Sequence, residues 1–171
     1  SLDDVRKLAP IVNTSCLVGA LWNDQGGHVD PASATQAFAA AARNLGATIH
    51  RHCPVIETNP LPDGRWQVVT QNGTVTADYV VNAAGLWGRE VAGLAGITLP
   101  LMPVQHHYLV TESISEIEAM THELPQIDDG EINCYTRQEG HGLLLGAYES
   151  PCLHWAEEGT PPDFGHELLP N

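Results

Sequence analysis

The run Tyr79-Val80-Val81-Asn82-Ala83-Ala84-Gly85-Leu86-Trp87-Gly88 constrains this chain more than any other stretch. A short β-branched segment ends in two alanines and a glycine, and a helix-like stretch follows at once. Tyr79 to Asn82 is mostly apolar without alternation, which predicts a strand buried on both faces. Ala83, Ala84 and Gly85 then remove side-chain bulk where the strand stops. Two consequences fit that composition. Backbone N–H groups can approach a ligand closely beside the start of a helix over Trp87 to Leu94, or the small residues ease strand–helix packing. Ligands of open α/β sheets sit at the carboxyl ends of strands, so the junction is a candidate nucleotide site.

The neighbouring segments read as α/β. Asp30 is placed to cap a helix, and Pro31 suits a first turn because it has no N–H to lose. The helix is predicted over Ala32 to Leu45, with Ala34, Phe38, Ala41, Ala42 and Leu45 as an apolar stripe and Gly46 as its stop. Strands are predicted at Ala47 to Arg51, around Pro54 to Glu57, over Arg65 to Thr70 and over Thr74 to Ala77. The last two flank an Asn-Gly hairpin turn at Gln71-Asn72-Gly73. Ser1 to Lys7 reads as a polar turn, and Ile11 to Leu21 as a strand pair or an interdomain segment. Past Leu99-Pro100-Leu101-Met102-Pro103 the texture changes. A strand is predicted over Val104 to Thr111 and a short helix, capped by Ser113 or Ser115, over Ser115 to His122. Two further strands are predicted over Ile132 to Thr136 and Leu143 to Tyr148, and the tail from Ser150 reads as an extended surface loop. The resulting division is 1–25 as a substrate-domain or interdomain segment, 26–98 as a nucleotide-binding part and 99–171 as a substrate-binding part.

The charge balance, 21 acids against 7 bases for a net −14, argues against nucleic acid and against an anionic membrane surface. No stretch has the apolar length of a transmembrane helix or the build of a signal peptide. The absence of an initiator Met and the ending on Leu-Leu-Pro-Asn give the expectation of a piece of a longer protein. Cys16, Cys53, Cys134 and Cys152 form no CxxC pair and are expected as buried free thiols in a reducing compartment. His50, His52 and Cys53 do not make a metal site on an alternating strand, because Cys53 points away from the two histidines. No metal is expected. Gly140-His141-Gly142 looks like a phosphate loop but lies inside a hairpin, and no G-x-G-x-x-G is present. On the strand after the domain change, Gln105, His107 and Leu109 share one face and His106, Tyr108 and Val110 the other. Tyr135 and Arg137 alternate alike. Such residues are either half-buried packing groups or the lining of a pocket.

Taken in order, Asp30-Pro31 with its Ala-rich helix, Val80 to Trp87, Pro103-Val104-Gln105-His106-His107-Tyr108 and Tyr135-x-Arg137-Gln138-Glu139 resemble the sarcosine and dimethylglycine dehydrogenase group of the D-amino-acid-oxidase-like flavoproteins. Gly26-Gly27 departs from the Asp-Gly usual before the Asp-Pro. The resemblance implies an incomplete FAD-binding α/β domain interleaved with an antiparallel-sheet substrate domain, and FAD-dependent oxidation of an N-methyl amine such as dimethylglycine or sarcosine. It implies cofactor contacts at Pro54, Val55, Ala83, Ala84, Gly85, Leu86 and Trp87. His106 and Tyr135 are implied as catalytic, with His107, Tyr108 and Arg137 toward the substrate. It also implies that the first phosphate loop lies upstream, so that the piece alone holds FAD weakly or not at all. A downstream folate-binding domain is implied as well, and the free cysteines suit a bacterial cytoplasm or a mitochondrial matrix alike. The alternatives are a non-enzymatic relative like the regulatory subunit of pyruvate dehydrogenase phosphatase, or another flavoenzyme such as a glycerol-3-phosphate dehydrogenase. The latter fits seven bases poorly.

Overall fold

A computed structural model describes residues 1–165; the last six residues of the expected tail lie outside the described residues. The chain forms two compact units, one of Ser1–Ala37 with His106–Cys152 and the other of Phe38–Gln105 with the segment from Leu153.

The first unit is built on an antiparallel sheet of four strands, β4 (Tyr108–Val110), β7 (Gly142–Ala147), β6 (Cys134–Glu139) and β5 (Ile127–Asp129), in that spatial order. The hairpin β6–β7 turns at Gly140-His141 rather than through a six-residue link, because both strands run further toward the turn than their apolar residues alone suggested. Asn133, at a φ of 49°, precedes β6, so the strand starts at Cys134 and not at Ile132. β5 has too few apolar residues to be read from sequence. The predicted strand over Val104 to Thr111 is shorter too, since only Tyr108 to Val110 find a partner in β7.

Three segments here differ from expectation. Ser1 to Lys7 is the start of helix α1 (Leu2–Leu8), because Ser1 and Asp4 form a capping box. Ile11 to Leu21 holds only a single 3-10 turn at Thr14–Cys16, with Val18 and Leu21 exposed and no strand among the described residues beside them. Helix α4 (Ser115–Glu118) stops before His122, and Ile114 stands at its N-cap in place of a serine. Ile117 and Leu124 are the most buried apolar residues of this unit, and the Leu124 N–H donates to Gln138 Oε1 at 2.8 Å.

Helix α2 (Pro31–Asn44) matches its predicted signals. The Ser33 N–H donates to Asp30 Oδ1 at 2.7 Å, and the Ser33 hydroxyl together with that N–H holds the Asp30 carboxyl below its usual range. At the other end Gly46 takes a φ of 94° while Gly46 N–H and Ala47 N–H donate to the Arg43 and Ala42 carbonyls, a Schellman stop. The apolar stripe, however, is not buried: Phe38 and Leu45 are exposed, because no element among the described residues covers that face.

The second unit carries a three-stranded meander, β1 (Val55–Pro60), β2 (Trp66–Thr70) and β3 (Gly73–Ala77). Gln71 and Asn72 form its tight turn, and Gly73 rather than Asn72 takes the positive φ. Ala47 to Arg51 is not a strand; it joins no ladder among the described residues, and His52 at a φ of 52° breaks any alternation of His50, His52 and Cys53. Tyr79 to Asn82 is likewise extended without a ladder, and Tyr79 and Val81 are exposed. A strand buried on both faces needs a neighbour along each edge, and among the described residues none lies beside it. The thiols are all free, but Cys16 and Cys152 are exposed rather than buried.

After this run come a 3-10 turn at Gly85–Trp87 and helix α3 (Gly88–Gly93). A segment from Ala156 to Pro161 is strapped onto them. Thr160 N–H donates to Glu90 Oε1 at 2.7 Å, Thr160 Oγ1 donates to the Leu86 carbonyl at 3.1 Å, and Trp87 Nε1 donates to the Pro161 carbonyl at 2.9 Å. Arg89 pairs with Glu90 at 2.9 Å and donates to the Ala156 carbonyl. The Thr160 N–H, helped by Arg89, holds the Glu90 carboxyl down at about 2 from the ordinary 4.5. A carboxyl lowered in this way stabilises the fold fully above pH 4.5, and that contribution fades as pH falls toward 2. With a third of the side chain in solvent, the contribution is on the order of 1 kcal/mol. Thermal melts of Glu90→Gln should therefore lie below the parent at neutral pH and converge with it between pH 4.5 and 2.

Candidate active site

Strands β6 and β7 pair without a slip from Cys134↔Ala147 to Glu139↔Gly142, so no bulge separates Tyr135 from Arg137 and the two share a face. Tyr135 stands directly opposite Gly146, which on its other side faces Tyr108 of β4. Gly146 presents no side chain, and the Tyr135 ring lies across it where a Cβ would be. That frees the ring to meet two others. His106 stacks on Tyr148 with centroids 4.7 Å apart and planes at 18°. Tyr135 lies 6.0 Å from His106 and 5.7 Å from Tyr148, both tilted. Tyr148 continues the β7 alternation of Leu144 and Gly146, and its N–H donates to the Asn133 carbonyl at 2.8 Å.

Glu149 supplies the charge. Its Oε1 is 3.3 Å from His107 Nδ1 and its Oε2 is 3.8 Å from His106 Nδ1, so one carboxylate serves both imidazoles. Its own backbone N–H, with His107 and His106 assisting, holds this carboxyl below the usual carboxylate range. Three ring faces beside a carboxylate attract a cation, and an imidazole in the same cluster can accept a proton. Of the residues expected toward the substrate, His107 joins the cluster through Glu149. Arg137 is paired with Glu139 at 3.1 Å, and Tyr108 is more than half exposed. Tyr148 and Glu149 were not singled out from sequence, nor was Gly146 for this role. The signal was available in the alternation of Leu144, Gly146 and Tyr148, a small residue opposite a large one.

The other expected cluster is local. Asn82 Oδ1 accepts from the Ala84 N–H at 3.1 Å and its Nδ2 donates to the Gly88 carbonyl at 2.7 Å, which folds Ala83 and Ala84 into a tight turn. Gly85 follows at a φ of 55°, and a Cβ there would meet nothing within 4 Å. A hollow of about 230 Å³ beside it is lined by Gly85, Leu86, Arg89, Leu101, Met102 and Pro103. Pro54 and Val55 lie at the start of edge strand β1 in the same unit, where a β-bulge follows Val55. Backbone open to approach, with no side chain in the way, is what a nucleotide diphosphate requires, so these residues fit such a group. Among the described residues no group of three or more His, Cys, Asp or Glu is placed to hold a metal ion. No helix among them is long and apolar enough to cross a membrane.

Comparison with known proteins decides the family. The family described as FAD dependent oxidoreductase matches residues 1–171. The chain belongs to this FAD-dependent oxidoreductase family. Mitochondrial dimethylglycine dehydrogenase of Mus musculus is 44% identical over 98% of the chain, and mitochondrial sarcosine dehydrogenase of Homo sapiens is 34% identical over 95% of it. The chain spans only 20% and 18% of those two relatives. Among solved structures, L-proline dehydrogenase from P. horikoshii aligns at a TM-score of 0.71 and 26% identity. That alignment covers 84% of this chain and 38% of the other. Membership in a family with FAD as its cofactor agrees with the open turn at Ala83 to Gly85 and with the mixed helices and antiparallel sheets described above.

Proposed function

We propose that this chain is part of an FAD-dependent oxidoreductase that oxidises a small N-methyl amine of the dimethylglycine or sarcosine type. The observation that carries the reading is the cluster of His106, Tyr135 and Tyr148 beside Glu149, in a chain so similar to dimethylglycine dehydrogenase. In this reading the span 26–98 belongs to the cofactor domain, 99–171 to the substrate domain, and 1–25 to the substrate domain or the connection between them. The backbone of Pro54 and Val55 holds the adenosine half of FAD, and the turn Ala83 to Trp87 holds its diphosphate and ribose. FAD held there would supply the acceptor for the hydride equivalent of the N-methyl carbon.

The chain's own residues prepare the amine. An ammonium has no lone pair to assist C–H cleavage, so its proton must first be taken, and His106 is the acceptor. The rings of Tyr135 and Tyr148 hold the cation before that transfer, and the Tyr135 hydroxyl orients the substrate. Arg137, released from Glu139, pairs with the substrate carboxylate, while His107 and Tyr108 flank the site. A reducing compartment, mitochondrial matrix or bacterial cytoplasm, suits the free thiols, and a folate-binding domain downstream would accept the one-carbon product.

The test is anaerobic mixing of the complete flavin-loaded protein with dimethylglycine or with sarcosine. Bleaching of the oxidised flavin spectrum by at least one of them is the expected result. A flavin that stays oxidised with both would overturn the reading in favour of a non-catalytic relative.

A further inference from the structure

The segment from Ala156 to Pro161 has no part in the chemistry described, yet four hydrogen bonds tie it to the turn and helix that precede it in sequence. Three of them end on one short stretch. Thr160 Oγ1 donates to the Leu86 carbonyl, Trp87 Nε1 donates to the Pro161 carbonyl, and Glu90 receives the Thr160 N–H. Thr160 is only 5% exposed, so its hydroxyl has no water to fall back on. Leu86 and Trp87 belong to a 3-10 turn that has no side-chain cap of its own. A turn that short gains little from internal hydrogen bonds, and its shape is set by what grips it from outside. Here the grip fixes both the carbonyl direction at Leu86 and the in-plane orientation of the Trp87 indole. Arg89 anchors the far end of the segment through the Ala156 carbonyl, and Trp155 packs against Phe164 at 4.5 Å around it.

We propose that Ala156 to Pro161 is a strap that sets the geometry of the cofactor turn, with Thr160 as a positioning residue for FAD. This rests on the reading above that Ala83 to Trp87 meet the cofactor. The strap acts through the turn and touches no reacting atom. Gly85 stands next to the gripped carbonyl with open space around it. Without the grip the short turn Gly85–Trp87 can shift as a unit, so its Gly85 and Leu86 N–H groups would take a range of directions and a ligand would have to order them on binding.

The experiment uses the complete protein. Thr160→Val keeps the shape of threonine and loses the hydroxyl, while Thr160→Ser keeps the hydroxyl and loses a methyl. The flavin-to-protein ratio after purification is read for each, together with the FAD concentration that half-quenches tryptophan fluorescence after flavin-free expression. For Thr160→Val the half-quenching concentration is expected to rise about five- to tenfold, the effect of one buried carbonyl losing its donor. Thr160→Ser is expected to stay near the parent. A packing role would give the reverse order, with the valine variant retaining FAD and the serine variant losing it, and that order overturns the proposal. Thr160→Ala lacks the hydroxyl and needs no extra space, so it carries the same comparison if the valine variant does not fold. Full flavin in parent and hydroxyl-free variants alike overturns the strap but leaves the assigned turn intact. A parent that holds no flavin overturns the assignment itself.

Discussion

Flavin reduction by an N-methyl glycine is expected to slow about 10²- to 10⁴-fold when His106 is replaced by alanine in the complete protein, the range typical of losing a positioned proton acceptor. His106 is stacked on Tyr148 and has its Nδ1 edge toward Glu149, so the imidazole is held on two sides before any substrate arrives. An amine bound on the remaining ring faces meets an acceptor that needs no reorganisation. His106→Phe separates the two roles of the ring. It keeps the stack on Tyr148 but has no nitrogen, so it should be as slow as the alanine variant if proton transfer matters. If the phenylalanine variant recovers the parent rate, His106 is a packing residue and the proton goes elsewhere. Tyr135→Phe should cost far less, because the ring that faces the cation is retained and only one hydrogen bond is lost.

How much of this was legible in the sequence depends on whether the signal was local. The ends of α2 were, because a capping aspartate, an N1 proline and a C′ glycine each act on neighbouring backbone groups alone. The hairpin β2–β3 was too. Tyr79 to Asn82 was not, although its composition is the plainest strand signal in the chain. A strand exists only with a partner, and partnership is a property of other segments. The apolar stripe of α2 misled for the same reason: periodicity says which face is apolar and nothing about what covers it. At the site, alternation placed Tyr135 and Arg137 together correctly, because the ladder from Cys134 to Glu139 has no bulge. It missed Tyr148 and Glu149, since their meeting with His106 and His107 joins two segments more than 40 residues apart and depends on β4 and β7 being neighbours. It also left His106 and His107 on opposite faces. Only Tyr108 to Val110 are in the ladder, so alternation does not govern the two histidines, and one carboxylate reaches both.

The same pairing, while Tyr135 keeps its place, leaves no room for a side chain at Gly146. Its backbone is extended, so glycine is not there for a left-handed turn; the reason is steric. A Cβ at this position would overlap Cζ, Cε1 and Oη of Tyr135. The collision is with the side chain the site depends on, and Tyr135 can relieve it only by leaving its place between His106 and Gly146. Gly146→Ala should therefore destabilise the protein by about 1–3 kcal/mol, as overpacking does. It should also slow flavin reduction more than that destabilisation alone explains. Gly142 provides the control. An added Cβ there also collides, at 2.7 Å from the Glu112 carbonyl oxygen and 2.8 Å from that of Thr111, but at the far end of β7 from the rings. Gly142→Ala should lower the melting temperature while leaving the reduction rate per bound flavin near the parent. Tyr135→Leu then completes a double-mutant cycle. If the clash is the cause, adding Gly146→Ala to Tyr135→Leu costs little further stability, so the two effects are strongly non-additive. Additive losses in melting and rate would mean that the glycine serves the strand and not the ring.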